Sequence, residues 1–345
     1  LGTEIVMGLA TPSSAALREA AAHYERAAAA NRLCKAKGGK GENAHNVYCL
    51  WGAALERDPE GGGKAAADVV WAKGVKDGLW LHKAQRPKQL LQGLRAAPWH
   101  DAYEHATLRA LRDAYPTIRA EALALLQADG ACGSGRSGSS DRSGNSGNRG
   151  GGGGGGSGHA AGSPVFTPYA SKALNTGEWA DVGLFFNSAI NHLASERAPR
   201  TTALLLSSAG GLERDAVSCP LGSAYFSLLR PGSSLKAHCG PTNCRLRAHL
   251  GLVVPSTDPA VCGIRCGDEP PRSWHEGEVL LFDDSFEHEV WNHTSEPRLV
   301  LIVDIWPPQL QHDADRAKAL THEWQRERYR RALRGEHDMT TQRGH

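Results

Sequence analysis

Along residues 245–254 polar and apolar side chains alternate with the period of a β-strand: Arg245, Arg247, His249 and Gly251 fall on one face, Leu246, Ala248, Leu250 and Leu252 on the other. The apolar face predicts burial against a core. The other face is cationic, whereas a strand facing water more often mixes Thr, Ser, Glu and Lys. A solvated face and an anion-recognising face both stay open at this point. Residues 299–305 are nearly all apolar, which predicts a buried strand with Arg298 at its entrance. A buried guanidinium needs an anionic partner. Residues 225–229 make another strand, bearing Ser227 and closed by Pro231-Gly232. Further strands are predicted around Ile264, over 279–282, and after the turn-like Asp283-Asp284-Ser285. Residues 166–187 read as a strand behind a loop and 187–196 as a helix, while Pro199-Arg200-Thr201 with Leu204-Leu205-Leu206 reads as the opening of the β-structure proper.

Toward both ends the period lengthens to that of helices. Residues 13–33 are Ala-rich, with a Ser13 or Ser14 cap and an apolar stripe of Leu17, Ala20, Ala21, Tyr24 and Ala28. Helices are also predicted over 46–57 and 65–79; the paired short helices weakly resemble a degenerate tetratricopeptide hairpin, with a plain helical extension packed on the β-core as the blander reading. Residues 102–127 form a helix broken at Tyr115-Pro116, and 313–333 a strongly charged one followed by a frayed end. Between them, 128–164 turns abruptly to Gly, Ser, Arg and Asn, with seven consecutive glycines at 150–156. Such a stretch buries too little apolar surface to offset its ordering entropy and is expected to be a disordered insertion. The expected architecture is a mainly β core with flanking α-helices over 80–310, a helical N-terminal region over 1–79, and a charged helix and tail over 311–345.

Composition changes this picture little. Lys and Arg number 39 against 37 Asp and Glu, and no basic stripe with interleaved aromatics occurs, so no nucleic-acid partner is expected. No run of about eighteen apolar residues predicts a membrane segment, and no signal peptide is visible, although a chain opening at Leu1 is compatible with a fragment. Compartment is left undetermined. Eight cysteines do not make a disulfide framework in a chain this long. Cys239, Cys244, Cys262 and Cys266 lack the paired spacing of structural zinc, and free thiols are expected, with a Cys262–Cys266 disulfide as the alternative.

Candidate chemistry centres on His238 and His288. Non-haem Fe(II) oxygenases hold iron with two histidines and usually one carboxylate, the first His often in an H-x-D or H-x-E pair. Here the pair is His238-x-Gly240, so the carboxylate is missing, and ordinary core or surface histidines compete as a reading. The run His238-Cys239-Gly240-Pro241-Thr242-Asn243-Cys244-Arg245-Leu246-Arg247-Ala248-His249-Leu250-Gly251-Leu252, then Phe282-Asp283-Asp284-Ser285-Phe286-Glu287-His288-Glu289-Val290-Trp291 and Arg298-Leu299 through Ile302-Val303-Asp304 to Trp306, resembles the aspartyl/asparaginyl β-hydroxylases. Gly93-Leu94 and Pro98-Trp99 resemble the entry segment of the same family. These are Fe(II)- and 2-oxoglutarate-dependent oxygenases on a double-stranded β-helix of jelly-roll, cupin-like form.

The resemblance implies that His238 and His288 are the iron ligands, with the carboxylate ligand absent at Gly240 as the family lacks it. It implies that Arg298 and Ser227 hold the distal carboxylate of 2-oxoglutarate and that Arg247 and His249 meet the proximal one. Arg245, on the same face, is the candidate for a substrate carboxylate. Fe(II), 2-oxoglutarate and O2 are the implied cofactors, and a peptide or protein carrying Asp or Asn, hydroxylated at the β-carbon, is the implied partner. A lipid-hydroxylating branch carries H-x-D, which Gly240 argues against. A non-protein substrate and a non-catalytic carboxylate- or peptide-binding module are the alternatives.

Overall fold

Two antiparallel sheets face each other, and the alternation along residues 245–254 decides which side chains enter the space between them. The computed structural model describes residues 13–36, 44–133, 165–169, 171 and 173–338. Within these, the larger sheet runs in the order β1 (Trp99–His100), β10 (Val279–Phe282), β8 (Leu246–Val253), β12 (Arg298–Ile305), β6 (Ser223–Leu229), β4 (Trp179–Phe186), β2 (Thr167–Pro168), with β5 (Ala189–Ile190) on β4. The smaller sheet runs β3 (Leu174–Thr176), β7 (Ser233–His238), β11 (His288–Asn292), β9 (Cys262–Cys266). The architecture is a double-stranded β-helix with flanking helices and a helical N-terminal region.

Ala248, Leu250 and Leu252 of β8 pack outward with Leu299, Leu301 and Val303 of β12 and with Phe226 and Leu228 of β6, in the core that helices cover. The alternate residues Val300, Ile302, Tyr225 and Leu229 turn inward and meet Leu235, Ile264 and Val290 of the smaller sheet. Strand β12 is therefore buried on both faces, and the cationic face of β8 looks between the sheets rather than at water. Each fully buried Leu, Ile or Val contributes about 1.5–3 kcal/mol, so a one-residue slip that exchanged the faces would be prohibitive.

Helices α1 (Ser14–Ala36), α2 (Ala44–Glu56) and α3 (Gly63–Lys76) share their own core of Tyr24, Tyr48, Trp51, Trp71 and Trp80. The Ser13 hydroxyl caps the first of them by accepting from Ala16 N–H. A Cβ at Gly52 would run into the Trp71 ring, so the glycine lets α2 and α3 approach closely. Helices α4 (Ala106–Asp113) and α5 (Tyr115–Gly133) back the larger sheet through Leu108, Leu111 and Ile118. Among the described residues no helix is long and apolar enough to cross a membrane.

Four expectations need correction. The helix α5 continues to Gly133, into the stretch expected to be disordered from 128. Asp129 is buried there, accepting from the Val165 and Phe166 N–H groups and pairing with Arg230 at 2.7 Å; residues 134–164 lie outside the described ones. After a short helix α6 (His192–Arg197), Pro199–Leu205 is helix α7 rather than a strand. The Glu121 carboxylate accepts from the N–H groups of Arg200 and Thr201 at its first turn, a cap that no local apolar run could reveal. The charged C-terminal stretch is two helices, α8 (Asp313–Ala319) and α9 (Glu323–Ala332), the second restarted by a capping box between His322 and Gln325. Beyond α9 the chain is held as far as residue 338: the His337 carbonyl accepts from Ile190 N–H at 2.9 Å and its buried ring meets the Ser188 carbonyl at 3.2 Å.

Candidate active site

Cross-strand pairing brings the two candidate histidines together. His288, first residue of β11, lies opposite His238, last residue of β7, and the ring centroids are 4.2 Å apart. Each ring is oriented by a carbonyl two residues earlier: His238 Nδ1 is 2.7 Å from the Lys236 oxygen and His288 Nδ1 is 2.9 Å from that of Phe286. A carbonyl only accepts, so both Nδ1 atoms carry the proton and both Nε2 atoms present a lone pair. Burial lowers the His238 imidazole below its ordinary range; burial and then His238 take His288 down to about 3. Two neutral imidazoles with oriented free Nε2 atoms are what a divalent metal needs from protein. Among the described residues no group of three or more His, Cys, Asp or Glu side chains gathers around a metal-sized space, so a cation here would rest on the histidine pair.

The opposite wall of the same pocket belongs to the larger sheet: Ser227, Arg247, His249 and Arg298, framed by Trp179, Tyr225, Phe282 and Ile302. Arg298 is 2% exposed, and no carboxylate among the described residues meets it. Its Nη1 is 3.4 Å from the Ser227 carbonyl, its guanidinium lies 4.8 Å from the Trp274 ring centroid, and its Nε has no partner among the described residues. Burial takes this cation down to about 10. The Trp274 indole N–H donates to His249 Nδ1 at 3.2 Å, which fixes the proton on Nε2; that buried donor is also unpartnered. Two orphaned donors on residues that line one pocket fit an anion. Ser227 Oγ accepts from the Trp179 indole at 3.0 Å and keeps its own O–H to give.

Two arginines on the cationic face are already neutralised. Arg245 and Arg247 share Asp284 and Asp304 in a closed quartet of four buried ion pairs, 2.7 to 3.2 Å long. Burial opposes ionisation of Asp284, yet Arg245 and Arg247 outweigh it and hold the carboxyl well below the usual range. Arg247 still lines the pocket, with its Nε and Nη2 committed to Asp304. Arg245 does not meet the expectation of a substrate contact: its donors go to Asp284, Asp304 and the Leu221 carbonyl, and it does not line the pocket.

Gly240 has a steric explanation. A Cβ there would stand 2.5 Å from Asp284 Cγ, so the Asp284 carboxylate fills the volume that an H-x-D carboxyl would use. The alternation pattern missed Asp284 and Asp304. One was hidden in a turn-like Asp-Asp pair; the other was visible as the single charge inside an apolar strand. Cys262 and Cys266 are both buried with free thiols on β9, which removes the disulfide alternative. A second, wider cavity of about 450 Å³ adjoins Gly240 and Pro241 between the N-terminal helices and the β-core, lined also by Glu56, Arg86, Lys88 and Glu287.

A profile described as aspartyl/asparaginyl beta-hydroxylase matches residues 112–308. The chain is 33% identical over 276 residues to the aspartyl/asparaginyl beta-hydroxylase of Mus musculus, covering 79% of this chain and 31% of that protein. The Homo sapiens protein of the same description is 32% identical over 278 residues, covering 79% and 30%. Over 88 residues the chain is 49% identical to the ornithine lipid ester-linked acyl 2-hydroxylase of Rhizobium tropici, covering 26% of this chain and 31% of that one. A solved oxidoreductase of the 2OG-Fe(II) oxygenase family from Burkholderia pseudomallei overlaps 41% of this chain and 72% of its own at 15% identity and a TM-score of 0.30. The chain spans about a third of the length of the curated relatives it matches. With the profile covering more than half of its residues and a third of its positions identical over most of its length, the chain belongs to the aspartyl/asparaginyl β-hydroxylase family.

Proposed function

We propose that this chain is an Fe(II)- and 2-oxoglutarate-dependent dioxygenase that hydroxylates the β-carbon of Asp or Asn in a peptide. One observation carries the reading. Two neutral histidines with free Nε2 atoms share a narrow pocket with two buried donors, Arg298 Nε and His249 Nε2, that lack an acceptor among the described residues. When bound, Fe(II) and 2-oxoglutarate supply oxygen activation: one oxygen atom enters the substrate C–H bond, and the other oxidises the cosubstrate to succinate and carbon dioxide. His238 and His288 hold the metal through Nε2. Arg298, with the Ser227 hydroxyl, receives the distal carboxylate and regains the counter-charge that burial denies it. His249 donates its fixed Nε2–H to the proximal carboxylate. Arg247, immobilised by Asp304 and Asp284, lines the same wall with its charge already balanced. Tyr225, Phe282, Val290 and Ile302 exclude water from the reacting atoms. We assign the peptide to the cavity beside Gly240, where the main chain next to His238 is open to a ligand from the side of the helices.

The test is anaerobic titration with Fe(II) and 2-oxoglutarate, then exposure to oxygen with succinate detection, with and without an Asp-containing peptide. The expected result is peptide-stimulated succinate, one oxygen added to the peptide, and loss of both in His238→Ala and His288→Ala. Uncoupled turnover alone would reject a peptide substrate. Failure to bind iron would reject the oxygenase and leave a carboxylate-binding module.

A further inference from the structure

We propose that the connector between α3 and β1, residues 82–91, is a strap that sets the spacing of the two histidine loops, with Gln85 as its main positioning residue; this rests on the metal-site reading above. The strand ladder pairs His288 with His238 directly, but its register shifts between His288 and Val290, so this pair is set off from the regular part of the ladder. A second tie closes the ring. At one end the connector lies along the loop that leads into His288: Arg86 N–H donates to the Ser285 carbonyl at 3.2 Å, and Glu287 N–H donates to the Ala84 carbonyl at 2.6 Å. At its other end it lies along the loop that leaves His238. There Gln89 N–H donates to the Pro241 carbonyl at 2.9 Å, Leu91 N–H donates to Asn243 Oδ1 at 2.8 Å, and Asn243 Nδ2 donates to the Leu91 carbonyl at 2.9 Å.

Gln85 is 0% exposed, and its amide nitrogen donates both to Asp283 Oδ2 and to Ser285 Oγ, each at 3.0 Å. Burying an amide is costly unless its hydrogen bonds are made; here the nitrogen makes both of its bonds, while Oε1 has no partner among the described residues. A methionine would fill the same volume without that cost, so packing alone does not account for a glutamine here. The strap is in turn moored to the N-terminal helices. The Arg86 guanidinium stacks 3.8 Å from the Trp71 ring centroid and pairs with Glu287, and the Arg86 carbonyl is 3.1 Å from His45 Nε2. Docking of the helices is thereby transmitted to both ligand loops.

The experiment uses the full chain. Gln85→Met keeps the volume and removes both hydrogen bonds to the 283–285 turn, while Asn243→Ala releases Leu91 at the far end. Metal-free protein is titrated anaerobically with Fe(II) in the presence of 2-oxoglutarate, and the fold of each variant is checked by its thermal transition. The expected result is a dissociation constant raised about tenfold in either variant, the scale of losing a partner that orients a metal ligand. The double variant is expected to lose no more than about the larger single loss, because one tie is cut twice. Folded variants whose iron affinity stays within twofold of the parent overturn the strap, as does full additivity in the double variant. A parent that binds no iron overturns the reading on which the strap rests; a parent that binds it beside unchanged variants overturns the strap alone. Should Gln85→Met fail to fold, Asn243→Ala carries the same decision.

Discussion

Replacing Arg298 with methionine should make the empty protein more stable while abolishing its capture of a dicarboxylate. The guanidinium is taken from 12.5 to about 10 by burial, so its charged form is disfavoured in the folded state by about 3 kcal/mol. The sign follows from the direction. A cation whose folded pKa is lowered carries its full cost at every pH below about 10, and the cost fades only as pH climbs toward the unfolded value. At neutral pH the whole penalty is present. Methionine keeps most of the length of the side chain and removes the charge, at the loss of two contacts that the arginine makes, with the Trp274 ring and, at 3.4 Å, with the Ser227 carbonyl. The net gain should be about 1–3 kcal/mol, or a few degrees in melting temperature. With 2-oxoglutarate added, the parent should gain stability in proportion to the logarithm of ligand concentration, and the variant should not. The assay is thermal unfolding of the metal-free chain and of the chain loaded with Fe(II) under anaerobic conditions, with and without the dicarboxylate. A variant that melts below its empty parent, or that keeps the ligand-induced shift, refutes the reasoning.

Two further outcomes follow from the same site, and a third from Asp181 on β4. Gly240→Ala should cost about 1–3 kcal/mol of stability, because the added methyl lands on the Asp284 carboxylate, and it should weaken iron binding; an unchanged melting temperature would refute the clash. Asp304→Asn removes the counter-charge shared by Arg245 and Arg247 and should cost about 3–5 kcal/mol in urea unfolding, a loss that a small effect would contradict. Burial alone raises the Asp181 carboxyl from 3.8 to about 6, so ionising it costs stability above that pH and nothing below 3.8. Asp181→Asn should therefore melt higher than the parent above pH 6, with the difference shrinking to nothing near pH 4; a constant difference across that range would exclude the carboxyl as its source.

Much of the β-core was legible because period-two alternation reports directly on which residues share a face. Arg247 and His249 share a face as their spacing implied, and the structure turns that face between the sheets rather than to water; Arg298 is as buried as the apolar run behind it suggested. Counter-ions were not legible. Asp284 and Asp304 reach Arg245 from elsewhere in the chain, so the pattern marked Arg245 as a free cation when it is a saturated one. The same limit explains helix α7: three successive leucines are ambiguous between helix and strand, and the choice rests on Glu121, some eighty residues earlier in the chain. The break between α8 and α9 falls at Leu320-Thr321-His322, which carries no Gly or Pro to mark it, and it shows in the Gln325 side chain accepting from His322 N–H.

The division of the pocket between two sheets has a mechanical consequence. His238 and His288 ride on the smaller sheet, while Ser227, Arg247, His249 and Arg298 ride on the larger. A molecule that touches both sets is a strut across the sandwich, added to the apolar packing and to ties such as that of Asn292 Nδ2 with the Leu229 carbonyl that already resist the two layers sliding or gaping. Amide protons of β7 and β11 should then slow their exchange in concert with those of β6 and β12 when the strut is in place, although the two pairs of strands belong to different sheets. The hinge of such breathing would be the turns that join the layers, and its amplitude would set how fast the cosubstrate enters and how tightly the closed pocket grips it.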